Sequence, residues 1–512
     1  MSRKGGRIDL VAMSVAAGLA LMASASVLAQ TNHDVTIVVG EEPDDMDPCS
    51  QSSSFTGRII LQNVVETLVE LRPDGSLTPR LATGWEQSDN LTWRFKLRED
   101  VTFHDGARLN ADVVLRALDR VTGAKFNCAV KNKYFSNLKV VGKKIDEYTV
   151  EFATEKPWPI MPLTMSGLPI PSPNTPMDKL QLTAVGTGPF VFDHWAQQQE
   201  MVLKKQPNYW NKAKKVEVEL ARYVVRKESA ARASLVALGQ ADLAPNVAVG
   251  DADNPKTDIA YPNAQTTWLR IDMTQPPLND KRVRLALNYA LDRKALLEKY
   301  FARGSILATQ AWGPNVQGHN FEIDKRVWPF DPAKARQLLA EARAAGVKVH
   351  AEIELQGRLG AYEKADDVME AVLHDYKAVG FNMKLKMYEL AQWRKLHNKP
   401  YPEQRPPALL QTVHENATGD AEFTARIKHS CEASNGTLCE LAMDRLIDAA
   451  GRLKGEERAK AFQTVAQASY EDYVDNVYLV HMVGFARVGA RIRYTPNVLI
   501  SGMLKVEDIT FN

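Results

Sequence analysis

Cysteine is scarce, four in 512 residues, and an excess of either charge is missing, since 64 Lys and Arg face 62 Asp and Glu. A balance that close excludes a polybasic binder of nucleic acid or anionic membrane. Aromatics at 8% and apolar residues at 45% exclude a wholly disordered, collagen-like or polytopic membrane chain. After the first thirty residues no run approaches the ~20 apolar residues of a membrane helix. Nucleotide signatures are absent: there is no GxxxxGK[ST], and Pro189 spoils the one Gly-rich candidate, Gly186-Thr-Gly188-Pro-Phe. His414-Glu415 opens like a zinc-protease helix, but Thr418 stands where the second His belongs. No GxSxG elbow occurs, and the acid pairs Asp44-Asp45 and Asp366-Asp367 read as solvated faces. The sequence thus proposes no catalytic centre, no cofactor and no metal.

What is present begins with a leader. Arg3, Lys4 and Arg7 precede an apolar, small-residue run over 10–28 that closes on Val27-Leu28-Ala29. This pattern predicts a secretory signal peptide cut after Ala29, with an uncleaved anchor as the alternative. The first cysteine is Cys49, so no lipid anchor at the cut is expected. Without the leader the basic and acidic counts are equal. Export places the cysteines in an oxidising compartment. Cys431 and Cys439 flank a turn-like Ser434-Asn435-Gly436 and pair most simply with each other, leaving Cys49 for Cys128. That is one of three connectivities. A zinc site is the rival, but no CxxC exists.

Along the chain, alternation predicts strands at 35–39, 93–97, 148–152, 201–204 and 217–225, then helices from 280, at 332–345, 362–379 and 441–452. Gly239, Gly346 and Gly380 stand where helices should stop. Strands at 349–355 and 382–388 alternate with these helices, which argues for a βαβ-type lobe over roughly 290–480 behind a β-rich half. Arg282 and Arg284 read as a solvated or salt-bridged helix face.

Several blocks resemble the large solute-binding proteins of bacterial ABC importers, family 5, which include dipeptide-, oligopeptide- and nickel-binding members. They are Glu42-Pro-Asp-Asp-Met-Asp-Pro48, the stretch 81–106 around Trp85, Phe95, Phe103, His104-Asp105-Gly106, then Gly186-Thr-Gly188-Pro-Phe190, Asn208-Tyr209-Trp210 and 279–293. The resemblance implies an α/β fold of two lobes, a large (cluster C) type II periplasmic binding protein with an extra subdomain in the first lobe. Expected boundaries are 1–29 signal peptide, 30–75 lobe I, 76–184 inserted subdomain, 185–284 lobe I, 285–480 lobe II and 481–512 a return to lobe I. It implies a monomeric periplasmic receptor, not an enzyme, that closes on a peptide or peptide-like solute and delivers it to inner-membrane permease subunits, with no nucleic-acid partner. The alternatives are a metal chelate or an opine on the same architecture, and, further off, an exported enzyme or chaperone. Trp85, Phe95 and Phe103 read as packing residues and Asp105-Gly106 as turn chemistry.

Candidate ligand contacts follow from the same resemblance. Ser53, Ser54 and Phe55 follow the opening turn and offer hydroxyls and a stacking face. Arg358 resembles the family's carboxylate clamp, with a surface salt bridge as the alternative. The family's ammonium-pairing acid falls on Asn416, which is neutral, so Glu415 or Asp420 is expected to substitute. His414 is the candidate for a metal chelate.

Overall fold

The computed structural model describes residues 33–50, 54–72, 75–135, 138–416, 418–496 and 504–512; the expected leader and Ser53 lie outside them. An eleven-stranded sheet runs through both lobes. Its spatial order is Met383–Tyr388, Ile353–Arg358, Ala408–Glu415, Asp258–Ile271, Asn476–Val488, Leu243–Val247, Asp34–Val39, Leu220–Val225, Glu200–Lys205 and Phe190–Ala196, with Ile306–Leu307 on the edge of Asn476–Val488. Among the described residues no helix is long and apolar enough to cross a membrane.

The two long antiparallel strands in the middle, Asp258–Ile271 and Asn476–Val488, belong to both lobes. Asp258 to Pro262 pair with Val483 to Arg487, and Thr266 to Arg270 pair with Asn476 to His481, with a register break between. Ala264 sits at that break with φ +59, a left-handed conformation that a non-glycine residue adopts only where its surroundings enforce it. The chain therefore enters the second lobe at 262–266, earlier than the expected boundary at 285. A strand carries it across, and by residue 283 it is already inside the second-lobe core: Val283 and Leu287 are buried with Leu269, Ile353 and Leu355.

In the first lobe Asp34–Val39 pairs in parallel with Leu220–Val225, and Ile37 and Tyr223 are fully buried. The inserted subdomain is a four-stranded antiparallel sheet, Ala82–Gln87, Thr92–Leu97, Thr149–Thr154 and Val140–Asp146. Helix Ala111–Thr122 covers it, capped by Asn110 accepting the Val113 N–H at 3.1 Å. Phe95 and Phe103 lie in its core. His104 docks the subdomain on the first lobe, its backbone N–H donating to Gly186 O and its Nε2 meeting Gly188 O, both at 2.9 Å. A Cβ at Gly186 would lie 2.1 Å from Val64 O and one at Gly188 2.5 Å from Asn63 O. The one Gly-rich motif is thus a close crossing of two backbones.

Both expected disulfides are formed, Cys49–Cys128 and Cys431–Cys439. The first lies beside the buried pair Arg120–Asp47, bonded at 2.9 and 2.6 Å. In the second lobe, helices Lys281–Tyr289, Pro332–Ala344 and Ala365–Ala378 build the core on one face of the sheet. Helices Ala421–His429, Leu441–Gly451 and Gly455–Gln467 pack on the other. Arg282 pairs with Asp280 at 2.6 Å, whereas Arg284 is buried and donates to the carbonyls of Leu278, Asn279 and Tyr473. Among the described residues it has no salt bridge, and it ties the turn before its own helix to the carbonyl of Tyr473.

Candidate functional site

Strands Ile353–Arg358 and Ala408–Glu415 run parallel, and their carboxyl ends open toward the first lobe. Ligands of open α/β sheets gather at such ends. Glu415, the last residue of its strand, lies 3.4 Å from Arg58 of helix Phe55–Leu61 and 3.7 Å from Lys133 of the inserted subdomain. First lobe, subdomain and second lobe therefore converge on this carboxylate. Burial drives the Lys133 ammonium down to about 8, and Arg58 pushes the same way against Glu415.

Ser54 caps the helix that carries Arg58, its Oγ accepting the Gly57 N–H at 2.9 Å. Its hydroxyl oxygen is thereby engaged, a local role beside the expected ligand contact. Phe55 faces a cavity of about 460 Å³ at the crossing strands, shared with Tyr261, Gln265, Tyr300, Phe301 and Tyr362. That volume lies within the range of small-molecule sites.

Arg358 is the last residue of strand Ile353–Arg358. Its N–H donates to Gln411 Oε1 at 2.9 Å, and Gln411 Nε2 donates to the hydroxyl of Tyr362 at 3.4 Å, linking the arginine to the cavity wall. The guanidinium lies 5.4 Å from the Trp393 ring centroid and donates to Ala361 O at 2.8 Å. Among the described residues it has no ion pair, so the salt-bridge alternative lacks a partner. Burial, with Arg394 nearby, makes it less basic than an ordinary arginine. A half-buried guanidinium without a counter-ion is suited to a bidentate carboxylate.

The other candidates are held inside the second lobe. His414 Nε2 lies 2.8 Å from Thr424 Oγ1, its ring stacked on Phe423 and edge-on to Trp268. Burial, reinforced by Lys428 and other cations, holds its pKa far below the usual range, so the ring is neutral. Among the described residues no three His, Cys, Asp or Glu side chains converge to hold a metal. Asn416 is 1% exposed. It accepts the N–H of Thr418 and Gly419 and donates to Asp420 O and Thr424 Oγ1, knotting the turn. Asp420 is fully buried; it caps helix Ala421–His429 through the Glu422 N–H, and both its oxygens accept from Arg458 at 2.8 Å. The expectation that Asp420 could receive an ammonium thus meets a carboxylate already paired. Glu415 is the acid of this segment that faces the first lobe.

Residues 76–405 match the family described as bacterial extracellular solute-binding proteins, family 5, middle region. The chain belongs to that family. It is 30% identical over 355 residues to the glutathione-binding protein GsiB of Shigella flexneri, covering 67% of each chain. The fold matches HbpA2 of Haemophilus parasuis with a TM-score of 0.80 at 22% identity, over 94% of this chain and 100% of that one. It also matches the periplasmic binding protein DppA of Helicobacter pylori in complex with the peptide STSA, with a TM-score of 0.72 at 18% identity over 94% and 99%. Family membership makes the two-lobed fold and the solute-binding role firm.

Sequence reasoning missed Arg58, Lys133 and Glu363. Arg58 had a signal, a lone cation in the apolar run Ile59-Ile60-Leu61; the others gain meaning only across the cleft. Glu363 precedes helix Ala365–Ala378, which starts later than the expected 362. Its carboxylate accepts the N–H groups of Val249 at 2.7 Å and Gly250 at 3.0 Å, reaching from second lobe to first. Glu363→Ala removes two charge-assisted bonds that join the lobes at an exposed site. The expected result is an about thirtyfold weaker affinity for solute, the two bonds together being worth about 2 kcal/mol. The unliganded variant should also show a larger radius of gyration in solution scattering.

Proposed function

We infer that this protein is the exported receptor of an ABC importer, working in the periplasm after removal of residues 1–29, and that it closes on a peptide or peptide-like solute with a free carboxylate. The observation that carries this reading is Arg358, a guanidinium that has no counter-ion among the described residues and stands at the carboxyl end of its strand. It shares the strand ends with Glu415, an acid of the neighbouring strand turned toward the first lobe, which can exchange its cation partners for a ligand ammonium. Closure gains from whatever the solute binds better in the closed form than in the open one. The permease subunits that receive the solute, and the ATPase that drives import, are separate chains. The engagement of His414 with Thr424 favours a peptide-like ligand over a metal chelate.

Glutathione, which the curated relative is named for, heads the panel, with di- to pentapeptides, opines and chelated nickel. Calorimetry on the chain lacking 1–29 should find binding among the peptides, with contraction in solution scattering. Glu415→Gln should weaken peptides with a free amino terminus by about tenfold while sparing their N-acetylated forms. Tight binding of a cello-oligosaccharide and of nothing else in the panel would overturn the peptide reading.

A further inference from the structure

The face of the second-lobe sheet that carries Arg358 is cationic beyond what its acids balance. Arg270 and Trp268 lie two residues apart on one side of their strand. Lys428, in the last turn of helix Ala421–His429, places its ammonium 5.4 Å from the Trp268 ring centroid. His397 of helix Leu390–His397 stacks on Trp393 at 4.3 Å, and Trp393 lies under Arg358. The acids around this cluster are all taken. Glu354 pairs with Lys386, Asp272 with Arg405 at 2.6 Å, Asp475 with His429 at 2.7 Å, and Asp420 and Glu422 with Arg458. The two terminal nitrogens of Arg270 donate to the carbonyls of Leu396, His397 and Asn435 and to the hydroxyl of Tyr401, while its Nε is buried without a partner among the described residues. Lys428 is different: it is 7% exposed, and its ammonium has no hydrogen bond or ion pair among the described residues.

We propose that Lys428 and Arg358 form a two-pronged cationic seat, so that this receptor selects solutes carrying two carboxylates over their neutral analogues. The proposal rests on the peptide-like reading above and names its charge class. An ammonium left with little solvent and no ion partner destabilises the fold, and an apolar residue of similar length would serve packing better. Burial, and after it Arg270, brings the Lys428 ammonium down to about 7, with nothing opposing. Burial, then Lys428 and Arg270, likewise pushes His397 down to about 2, so it is neutral, and its Nε2 is buried without a partner. The groups turned toward Lys428 are thus Arg270 and His414 from the sheet and His397 from the facing helix, while His429 on its own helix is tied to Asp475. A carboxylate entering this cluster restores the charged form of Lys428, so that binding near pH 7.5 takes up a proton.

The test compares wild type with Lys428→Met against Ala-Asp, Ala-Asn, glutathione and glutarate, by calorimetry at pH 7.5 in phosphate and in Tris. Wild type should bind Ala-Asp at least about tenfold tighter than Ala-Asn, as charge-assisted contacts imply, with proton uptake revealed by the buffer dependence. Lys428→Met should erase both effects, leave Ala-Asn unchanged and raise the unliganded Tm. Peptides bound with no preference for the acid overturn the seat and keep the peptide reading. Glutarate bound without any peptide keeps the seat and overturns the peptide reading. Acid preference surviving Lys428→Met, or a lowered unliganded Tm in that variant, overturns the role given to Lys428.

Discussion

Asp420→Ala is expected to lower the unfolding free energy by about 3–5 kcal/mol in urea titrations, the cost of removing one partner from a buried ion pair. Asp420 is fully buried and caps a helix while both oxygens accept from Arg458, which is 1% exposed. Burial alone would make that guanidinium less basic; Asp420 and Glu422 more than reverse the effect. Without Asp420, Arg458 keeps Glu422 and carbonyls such as Gly451 O but loses its bidentate partner. Asp420→Ala combined with Arg458→Met should therefore cost less than the two single changes added together. Were Asp420 the ligand's ammonium partner, the single change would leave stability intact and remove affinity.

Arg358→Ala is expected to do the opposite. Among the described residues its side chain has no ion pair to lose, so the unfolding midpoint should move little. Affinity for a carboxylate-bearing solute should fall about hundredfold or more, within the 2–5 kcal/mol typical of truncating one partner of a buried charge pair. Arg358→Lys should recover only part, because an ammonium cannot reproduce the planar two-donor fork. The matching carboxamide of the solute, weak on wild type, should bind the variant almost as well as the acid does. Calorimetry on these four combinations isolates the carboxylate–guanidinium coupling.

Regular elements were legible because their causes are local. The alternation at 93–97 does form a strand, and the helices end where Gly239, Gly346 and Gly380 take positive φ. The helix expected from 280 divides into Lys281–Tyr289 and Arg293–Tyr300. Asp292 causes the division, since its side chain accepts the Ala295 N–H at 3.0 Å and caps a new start. Site residues were legible by type but not by allegiance. Glu415 and Asp420 are both acids, five positions apart, and the same charge serves either a ligand or a buried arginine. Arg458, which decides the matter for Asp420, is 38 residues away, and Arg58, which reaches Glu415, is 357 away.

The amino-acid order alone determined the family, the exported character expected of the chain and the strand and helix content, because periodicity, turn residues and motif blocks act over a few neighbours. Only the tertiary structure decided which cations lack a counter-ion. Whether Arg358 and Lys428 are available for a solute depends on acids brought near or kept away by distant segments, and electrostatic pairing in a buried face is a matter of angstroms in space.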